Sequence, residues 1–233
     1  MRLLCIDTST RVGSVAVFVD GALAAEVNAR LQGTHSQELL PMVDAALGLA
    51  RCGYDDLDAI AVDIGPGSFT GVRIGVALAK GMAFARGIAL WGVSSLEALG
   101  RAAPMVEGWS LVVLDARRDE VYAALWRWDD GVRTPALAGL SGTPEHVGDA
   151  VEALVGAGDV VLVTDAAGAL LARLLAARPW RVVRGAPAMG VPLARLVGEA
   201  VADGACTLDD GSLEPLYLRD PDAKLPGGKA LGA

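Results

Sequence analysis

The stretch "DIGPGSFTGVRIG", residues 63–75, combines glycines, a proline and hydroxyl side chains in an order that often surrounds a phosphate group. A P-loop places backbone amides and a lysine around phosphates and requires the pattern G-x-x-x-x-G-K-[ST]. The glycine spacing does not fit this pattern, and the stretch contains no lysine. We therefore expect its glycines to shape a turn at a strand end, with Ser68 or Thr70 capping the following helix. A residual anion site at that helix N-terminus is the alternative.

A second group of polar residues follows the first predicted strand, in "LLCIDTST". An aspartate at a strand end beside hydroxyl groups can position a metal-bound nucleotide, although such aspartates commonly accept hydrogen bonds from their own turns. The residues that could form a vestigial nucleotide or anion site are Asp7, Thr8, Ser9, Thr10, Ser68 and Thr70.

Two histidines and three cysteines offer little for metal chemistry. His35 precedes a helix and has a leucine one turn further on, and His146 has no acidic or histidine companion at ligand spacing. The cysteines are odd in number and widely separated, which favours reduced, mostly buried thiols over a disulfide framework. The sequence thus predicts no metal site, no disulfide and no cofactor.

The order of predicted elements repeats along the chain. Residues 1–107 predict three antiparallel strands followed by alternating helices and strands, and residues 108–220 predict the same order, with Asp115 in the place of Asp7. This pattern indicates a mixed sheet covered by helices in each half. The duplicated α/β order resembles the actin, sugar-kinase and Hsp70 superfamily, whose two ribonuclease-H-like lobes usually clamp ATP. The tail, residues 221–233, is rich in Pro and Gly and is predicted to be disordered.

The phosphate-binding parts of that superfamily are only partly present. There, two acidic hairpins rich in Gly and Ser or Thr, one in each lobe, approach the phosphates from both sides. Residues 7–10 retain part of the first hairpin, whereas residues 115–119, "DARRD", contain no glycine. We expect that the second phosphate wall has been lost. An ATP-dependent phosphotransferase or ATPase of the actin-like superfamily is the alternative.

Composition limits the partners and the location of the protein. The 233 residues are 53% hydrophobic, so a sizeable core is expected, and the longest apolar runs fall short of the roughly 18 to 20 residues of a membrane helix. The formal net charge of −8 argues against primary contact with nucleic acid, whose phosphates attract clustered Lys and Arg. We expect no membrane span, a cytoplasmic location and any RNA substrate to be held by a partner.

Two helices of the first half predict a docking surface. Small residues recur every four positions along the second of them, which would let another backbone approach, although such a stripe can also pack on the domain's own sheet. The preceding helix, residues 36–50, is apolar on more than one face, which exceeds the needs of a single sheet contact. The predicted interface residues are Leu39, Leu40, Val43, Leu47, Gly71, Val72, Gly75, Val76 and Ala79.

Motifs across nearly the full chain resemble those of the TsaB (YeaZ) family. The most specific is "GPGSFTGVRIG", supported in order and spacing by "LLCIDTST", "HSQELLPMV", "LDARRDEVYAAL" and "PLYLR". The resemblance implies an actin-like fold and an accessory subunit of the bacterial machinery that makes N6-threonylcarbamoyladenosine at position 37 of tRNA. It implies pairing of the two helices with the catalytic paralogue TsaD, joined by the ATPase TsaE. Without TsaD, the same helices are expected to form a homodimer.

The resemblance also bears on catalysis. TsaD carries a metal-binding histidine pair near the position of His35, and this sequence lacks the second histidine, which favours a noncatalytic scaffold. Such proteins have also been described as M22-type glycoproteases, the remaining alternative. Nothing in the sequence supplies a protease nucleophile or a metal-bound water.

Overall fold

Two mixed sheets and six helices form the framework of the described chain. The structure is a computed structural model that describes residues 1–30, 35–102, 107–164, 168–176, 178–184 and 193–218. The strands are β1 (Arg2–Asp7), β2 (Val12–Val19), β3 (Ala22–Arg30), β4 (Ala59–Asp63), β5 (Ala89–Val93), β6 (Gly108–Arg117), β7 (Glu120–Asp129), β8 (Val132–Gly142), β9 (Val160–Thr164), β10 (Arg181–Arg184) and β11 (Thr207–Leu208). The helices are α1 (His35–Leu49), α2 (Phe69–Arg86), α3 (Ser95–Gly100), α4 (Pro144–Val155), α5 (Gly168–Leu174) and α6 (Leu193–Ala202).

The two sheets repeat one topology. The first sheet has the order β11-β5-β4-β1-β2-β3 and the second has the order β10-β9-β6-β7-β8. In each sheet three antiparallel strands are followed by two parallel ones, as the pairings of β1 with β2 and β4 show in the first and those of β6 with β7 and β9 show in the second. Apart from β11, the orders are equivalent, so the duplicated α/β fold predicted from the sequence is confirmed.

Helices and sheets alternate in layers. Helices α1 and α2 cover one face of the first sheet, and α4 and α5 cover the outer face of the second. Helices α3 and α6 lie between the two sheets, within a shared apolar core. Because successive strand residues point to opposite faces, Val112 on β6 contributes to this shared core and Leu111 to the outer one. The two lobes are therefore joined by a continuous hydrophobic core.

Local capping explains where the main helices begin and end. The Ser68 hydroxyl caps α2 by accepting a hydrogen bond from the Gly71 amide (3.2 Å), and Gly87 ends the helix with a positive φ of 64°. Thr143 caps α4 by accepting a hydrogen bond from the His146 amide (3.3 Å). The cap at Ser68 is one of the two that the sequence predicts for α2.

Some predicted boundaries shift. Helix α1, predicted over residues 36–50, spans His35–Leu49 and has Pro41 inside it. Helix α6 ends at Ala202, and the short strand β11 was not predicted from the sequence. The predicted disordered tail, residues 221–233, lies outside the described residues.

The last described segment, residues 207–218, returns to the first lobe, and we call it the C-terminal strap. It begins with β11, which pairs antiparallel with β5. Farther on, the Lys80 ammonium donates to the Leu213 carbonyl oxygen (2.8 Å), and the Leu216 amide donates to the Ile64 carbonyl oxygen (2.6 Å). At its end, the Ser141 hydroxyl of β8 donates to the Leu218 carbonyl oxygen (2.8 Å). The predicted second lobe, 108–220, thus contains a segment that packs mainly on the first.

Candidate functional site

The hairpin after β1 packs directly against the start of α2. The Thr8 hydroxyl donates a hydrogen bond to the Gly71 carbonyl oxygen (2.7 Å), and the Ser68 amide donates to the Ser9 carbonyl oxygen (2.6 Å). Asp7, Thr8 and Ser9 are almost completely buried. A ligand outside the protein therefore cannot touch these three residues unless the hairpin leaves α2.

The other residues of the predicted nucleotide or anion site have local roles. The Thr10 hydroxyl donates to the Val12 carbonyl oxygen (3.0 Å) and accepts from the Val12 amide (3.2 Å). Ser68 caps α2, and Thr70 is exposed on its first turn. Because the amides of Ser68 and Gly71 are already engaged, part of the donor capacity of this helix N-terminus is used internally. The structure brings the six predicted residues to one hairpin–helix contact and leaves Thr70 exposed.

Two buried carboxyl groups lie behind the hairpin, Asp7 at the end of β1 and Asp63 at the end of β4. Ser9 joins them: its amide donates to Asp7 Oδ1 (2.7 Å) and its hydroxyl to Asp63 Oδ2 (3.1 Å). Asp63 Oδ1 also accepts from the Gly65 amide (2.6 Å) and the Ser95 hydroxyl (2.5 Å). Sequence analysis found Asp7 but missed Asp63, although its place between a buried strand and the glycine-rich stretch was an available signal.

Burial changes the acidity of this pair. Removal from water raises the pKa of Asp7 to about 6. Burial, together with the charge of Asp7, raises the pKa of Asp63 well above its ordinary value. Because two adjacent buried carboxylates repel each other, the pair still holds a shared proton at pH values where exposed carboxyl groups are ionised. Asp7 and Asp63 accept hydrogen bonds from the turns after β1 and β4 and from the start of α3. The pair is therefore suited to holding these three segments together.

The small-residue stripe of α2 faces the chain's own hairpin. A Cβ added at Gly71 would overlap the Thr8 carbonyl oxygen, and one added at Gly75 would overlap the Thr8 hydroxyl. Ala79, further along the stripe, is also buried. The stripe therefore permits a close approach within the lobe, which corrects the prediction that it receives the backbone of a partner.

Of the nine predicted interface residues, only Leu40 is exposed. The other eight are buried in the first lobe: Leu39, Val43, Leu47, Gly71, Val72, Gly75, Val76 and Ala79. The most regularly spaced apolar positions of a helix face its own core, because that spacing matches the helical repeat. Any docking surface formed by α1 and α2 must use different side chains of these helices.

The sides of α1 and α2 that face away from the sheet expose large apolar side chains. Phe84 is 91% exposed, Leu49 is 68% exposed and Leu40 is 45% exposed. Small residues are exposed on the same helices. We define this surface, the outer face, as Leu40, Ala45, Gly48, Leu49, Ala77, Gly81 and Phe84. Apolar exposure on two neighbouring helices is typical of a protein contact surface.

The hairpin between β6 and β7 repeats the capping of the first hairpin. Asp115 Oδ1 accepts from the Arg117 amide (2.7 Å), as Asp7 Oδ1 accepts from the Ser9 amide (2.7 Å). At its tip, three consecutive residues, 117–119, have positive φ and are exposed. Tight hairpin turns of this kind usually use Gly or Asn, whereas here Arg and Asp side chains line the tip. The tip of this hairpin is therefore exposed to solvent.

Between α3, α6 and the β7–β8 hairpin lies a cleft of about 790 Å³. Glu97 forms ion pairs with Arg133 and Arg101, and Arg101 also pairs with Asp203. The Arg133 guanidinium lies over the Trp126 ring, 4.8 Å from its centroid. The charges lining the cleft therefore largely neutralise one another and link the second sheet to both central helices.

Within the described part of the chain, no group of three or more His, Cys, Asp or Glu side chains could hold a metal ion. His146 is exposed, and the side chain of His35 lies outside what the structure describes. Cys5 is a buried free thiol whose pKa is raised by burial. Across the described ranges, no helix is both long and apolar enough to cross a membrane.

Two ribonuclease-H-like lobes with a duplicated strand order define an actin-like α/β protein. The activator of 2-hydroxyisocaproyl-CoA dehydratase from Clostridium difficile has this fold: the TM-score is 0.52 at 10% sequence identity, over 88% of this chain and 96% of that one. A family model described as "TsaD: tRNA N6-adenosine threonylcarbamoyltransferase" matches residues 29–138.

Proteins with higher sequence identity to this chain carry the names YeaZ and TsaB. The structure of YeaZ from Pseudomonas aeruginosa superposes with a TM-score of 0.72 at 32% identity, covering 93% of this chain and 99% of that one. Proteins named "tRNA threonylcarbamoyladenosine biosynthesis protein TsaB" are 40% identical over 124 residues in Haemophilus influenzae and over 135 residues in Escherichia coli. These two matches cover 52% and 56% of this chain and 52% and 57% of the relatives, so the chain spans little more than half of their length. The chain belongs to the TsaB (YeaZ) family.

Proposed function

We propose that this protein is a noncatalytic subunit of the bacterial machinery that forms N6-threonylcarbamoyladenosine at position 37 of tRNA. It pairs with a TsaD-like catalytic paralogue through the outer face and activates that paralogue. The names of the TsaB relatives support the pathway. The observation that carries the pairing is the exposure of Phe84 and Leu49 on neighbouring helices that have no cover within the described chain.

The nature of the partner follows from the match to the TsaD family. That match, residues 29–138, includes both α1 and α2, so a TsaD subunit has corresponding helices. Two related helix pairs can pack together around a pseudo-twofold axis, as the identical faces of a homodimer do. The same geometry allows two copies of this chain to pair through the outer face when the partner is absent.

The absence of a catalytic role is supported by how the hairpin residues are used. Thr8 and Ser9, which would have to contact phosphates, are buried against α2. The net charge of −8 leaves most tRNA contact to other subunits. In this proposal a TsaE-like ATPase joins the heterodimer, and the complex works in the cytoplasm, where tRNA is modified.

The test is a charge placed at the most exposed large apolar side chain of the outer face. Phe84→Asp should abolish copurification with the TsaD subunit of the same genome and lower the modified adenosine in tRNA, measured by mass spectrometry of nucleosides in a strain that depends on this protein. Leu154→Asp is the matched control, because Leu154 is an exposed leucine on α4 of the other lobe. Wild-type copurification and modification by the Phe84 variant would overturn the proposal.

A further inference from the structure

Two motifs that are far apart in the sequence meet at the start of α2. Arg73, from "GPGSFTGVRIG", donates through Nε to the hydroxyl of Tyr217 in "PLYLR" (2.8 Å), although 144 residues separate them in the chain. The guanidinium also lies 3.9 Å from the centroid of the Phe69 ring and 5.7 Å from that of Tyr217. The two rings are 5.5 Å apart. All three side chains are exposed, and we call them the Arg73 cluster.

This arginine is held in place without being neutralised. Several arginines of the chain pair with carboxylates, such as Arg86 with Asp55 and Arg173 with Glu145. Within the described residues, no carboxylate forms an ion pair with Arg73, and its one hydrogen bond uses Nε. The two terminal nitrogens are therefore available, and the rings and the tyrosine hydroxyl limit the orientations of the guanidinium. Such a fixed fork matches the geometry of a carboxylate or phosphate.

The Arg73 cluster continues the outer face along α2. Phe69, Arg73, Ala77 and Gly81 follow one another at intervals of four residues, and Phe84 lies one further turn along. A partner that covers Ala77 and Gly81 therefore extends readily to Arg73. Because the net charge of −8 repels a polyanionic nucleic-acid backbone much more strongly than a single carboxylate, a protein carboxylate at that position is favoured over the phosphates of a nucleic acid.

We infer that the Arg73 cluster is the polar end of the docking surface, where Arg73 binds a carboxylate side chain of the protein partner and the C-terminal strap holds the guanidinium for it. This inference rests on the proposed pairing through the outer face. It makes the strap part of the interface, because Tyr217 belongs to the strap and the strap is anchored on α2 by Lys80.

The test measures the dissociation constant of the purified subunit for the TsaD subunit by calorimetric titration at low and high salt. Arg73→Gln should weaken binding roughly tenfold or more, because a charge-assisted hydrogen bond is lost. The variant should also flatten the salt dependence of binding. The affinity of Arg73→Lys should lie between those of the wild type and Arg73→Gln, since lysine keeps the positive charge but not the forked guanidinium. Tyr217→Phe should weaken binding less, because it removes only the hydroxyl that orients Arg73.

Arg195→Gln is the matched control, since Arg195 is an exposed arginine on α6 that pairs with Glu199 within its own helix. Unfolding temperatures of all variants should match that of the wild type, because Arg73 and Tyr217 are exposed. Should Arg73→Gln bind like the wild type while Phe84→Asp does not bind, this inference is wrong and the proposed pairing stands. Normal binding by both variants would refute both. If Arg73→Gln weakens tRNA binding by the assembled complex but not pairing of the subunits, the group that it binds is a phosphate and the inference also fails.

Discussion

The hydroxyl of Thr8 donates a 2.7 Å hydrogen bond to the carbonyl oxygen of Gly71, which brings the first hairpin into direct backbone contact with α2. The Gly71→Ala variant should lose about 1 to 3 kcal/mol of unfolding free energy, the usual cost of overpacking. The new methyl group would overlap the Thr8 carbonyl oxygen, a backbone atom that cannot move away by changing rotamer. Urea unfolding followed by circular dichroism measures the change.

Gly81→Ala is the control for this change on the same helix. No atom lies within 4 Å of a Cβ at Gly81, so the variant should gain about 0.5 to 1 kcal/mol through helix propensity alone. Equal effects of the two variants would contradict the close contact with the hairpin. Substitution of Gly75 by a large residue is a poor test of partner binding, because its Cβ would already overlap the Thr8 hydroxyl within the same chain.

The sequence predicts those features of the architecture that depend on residues close together in the chain. The alternation of apolar residues, the cap at Ser68 and the repeat of Asp7 at Asp115 are local, and they predicted the duplicated fold. Core and interface residues are both apolar, however, so periodicity alone could not show that Leu39 faces inward and that Leu49 faces outward. That distinction depends on how the helices rotate when they pack on the sheet.

Contacts between distant segments were beyond sequence analysis for a related reason. Asp63 lies beside Asp7 because β4 pairs in parallel with β1, and Tyr217 reaches Arg73 because the strap crosses the sheet edge. Neither the register of these strands nor the path of the strap can be read from the residues of one segment alone. Both follow from the assembled sheet.

The buried pair Asp7 and Asp63 predicts an unusual pH dependence. The folded pKa of each group lies above its unfolded value, so the folded state binds more protons than the unfolded state from about pH 4 upward. The contribution of the pair to stability is therefore fully present below the unfolded pKa and is lost as the pH rises through about 6 and beyond. The Asp63→Asn variant removes the part of this loss that Asp63 contributes and should become more stable relative to the wild type as the pH increases from 4 to 8.

An asparagine at position 63 can keep the local hydrogen bonds. Its carbonyl oxygen can accept from Gly65 and Ser95, and its amide group can donate to the Ser9 hydroxyl. The measurement is the difference in unfolding free energy between the two proteins at several pH values, which cancels the titration of exposed carboxylates. A difference that stays constant with pH would show that the pair does not share a proton.

The packing of the first hairpin against α2 predicts that nucleotides do not bind. Thr8 and Ser9 are buried, and the Ser68 amide already donates to the Ser9 carbonyl oxygen. The site therefore has no space for phosphates beside these residues, and the Ser68 amide is not available to bind them. Calorimetric titration with MgATP should give no heat of binding at micromolar concentrations. The dehydratase activator from Clostridium difficile, whose structure contains ADPNP, is a positive control with the same fold. Micromolar binding by this chain would support the phosphotransferase or ATPase alternative.

The C-terminal strap should contribute directly to the stability of the first lobe. Leu213 is buried between the edge of the sheet and α2, where its Cδ1 lies close to Gly92, while the Lys80 ammonium holds its carbonyl oxygen. Leu213→Ala should therefore lower the unfolding free energy by about 2 to 3 kcal/mol, the lower part of the range for buried leucines because the site is near the surface. Leu208→Ala, in the exposed strand β11 of the same strap, should change it by less than about 0.5 kcal/mol. Urea unfolding of both variants decides the point, since similar small effects would mean that the strap is not anchored through Leu213.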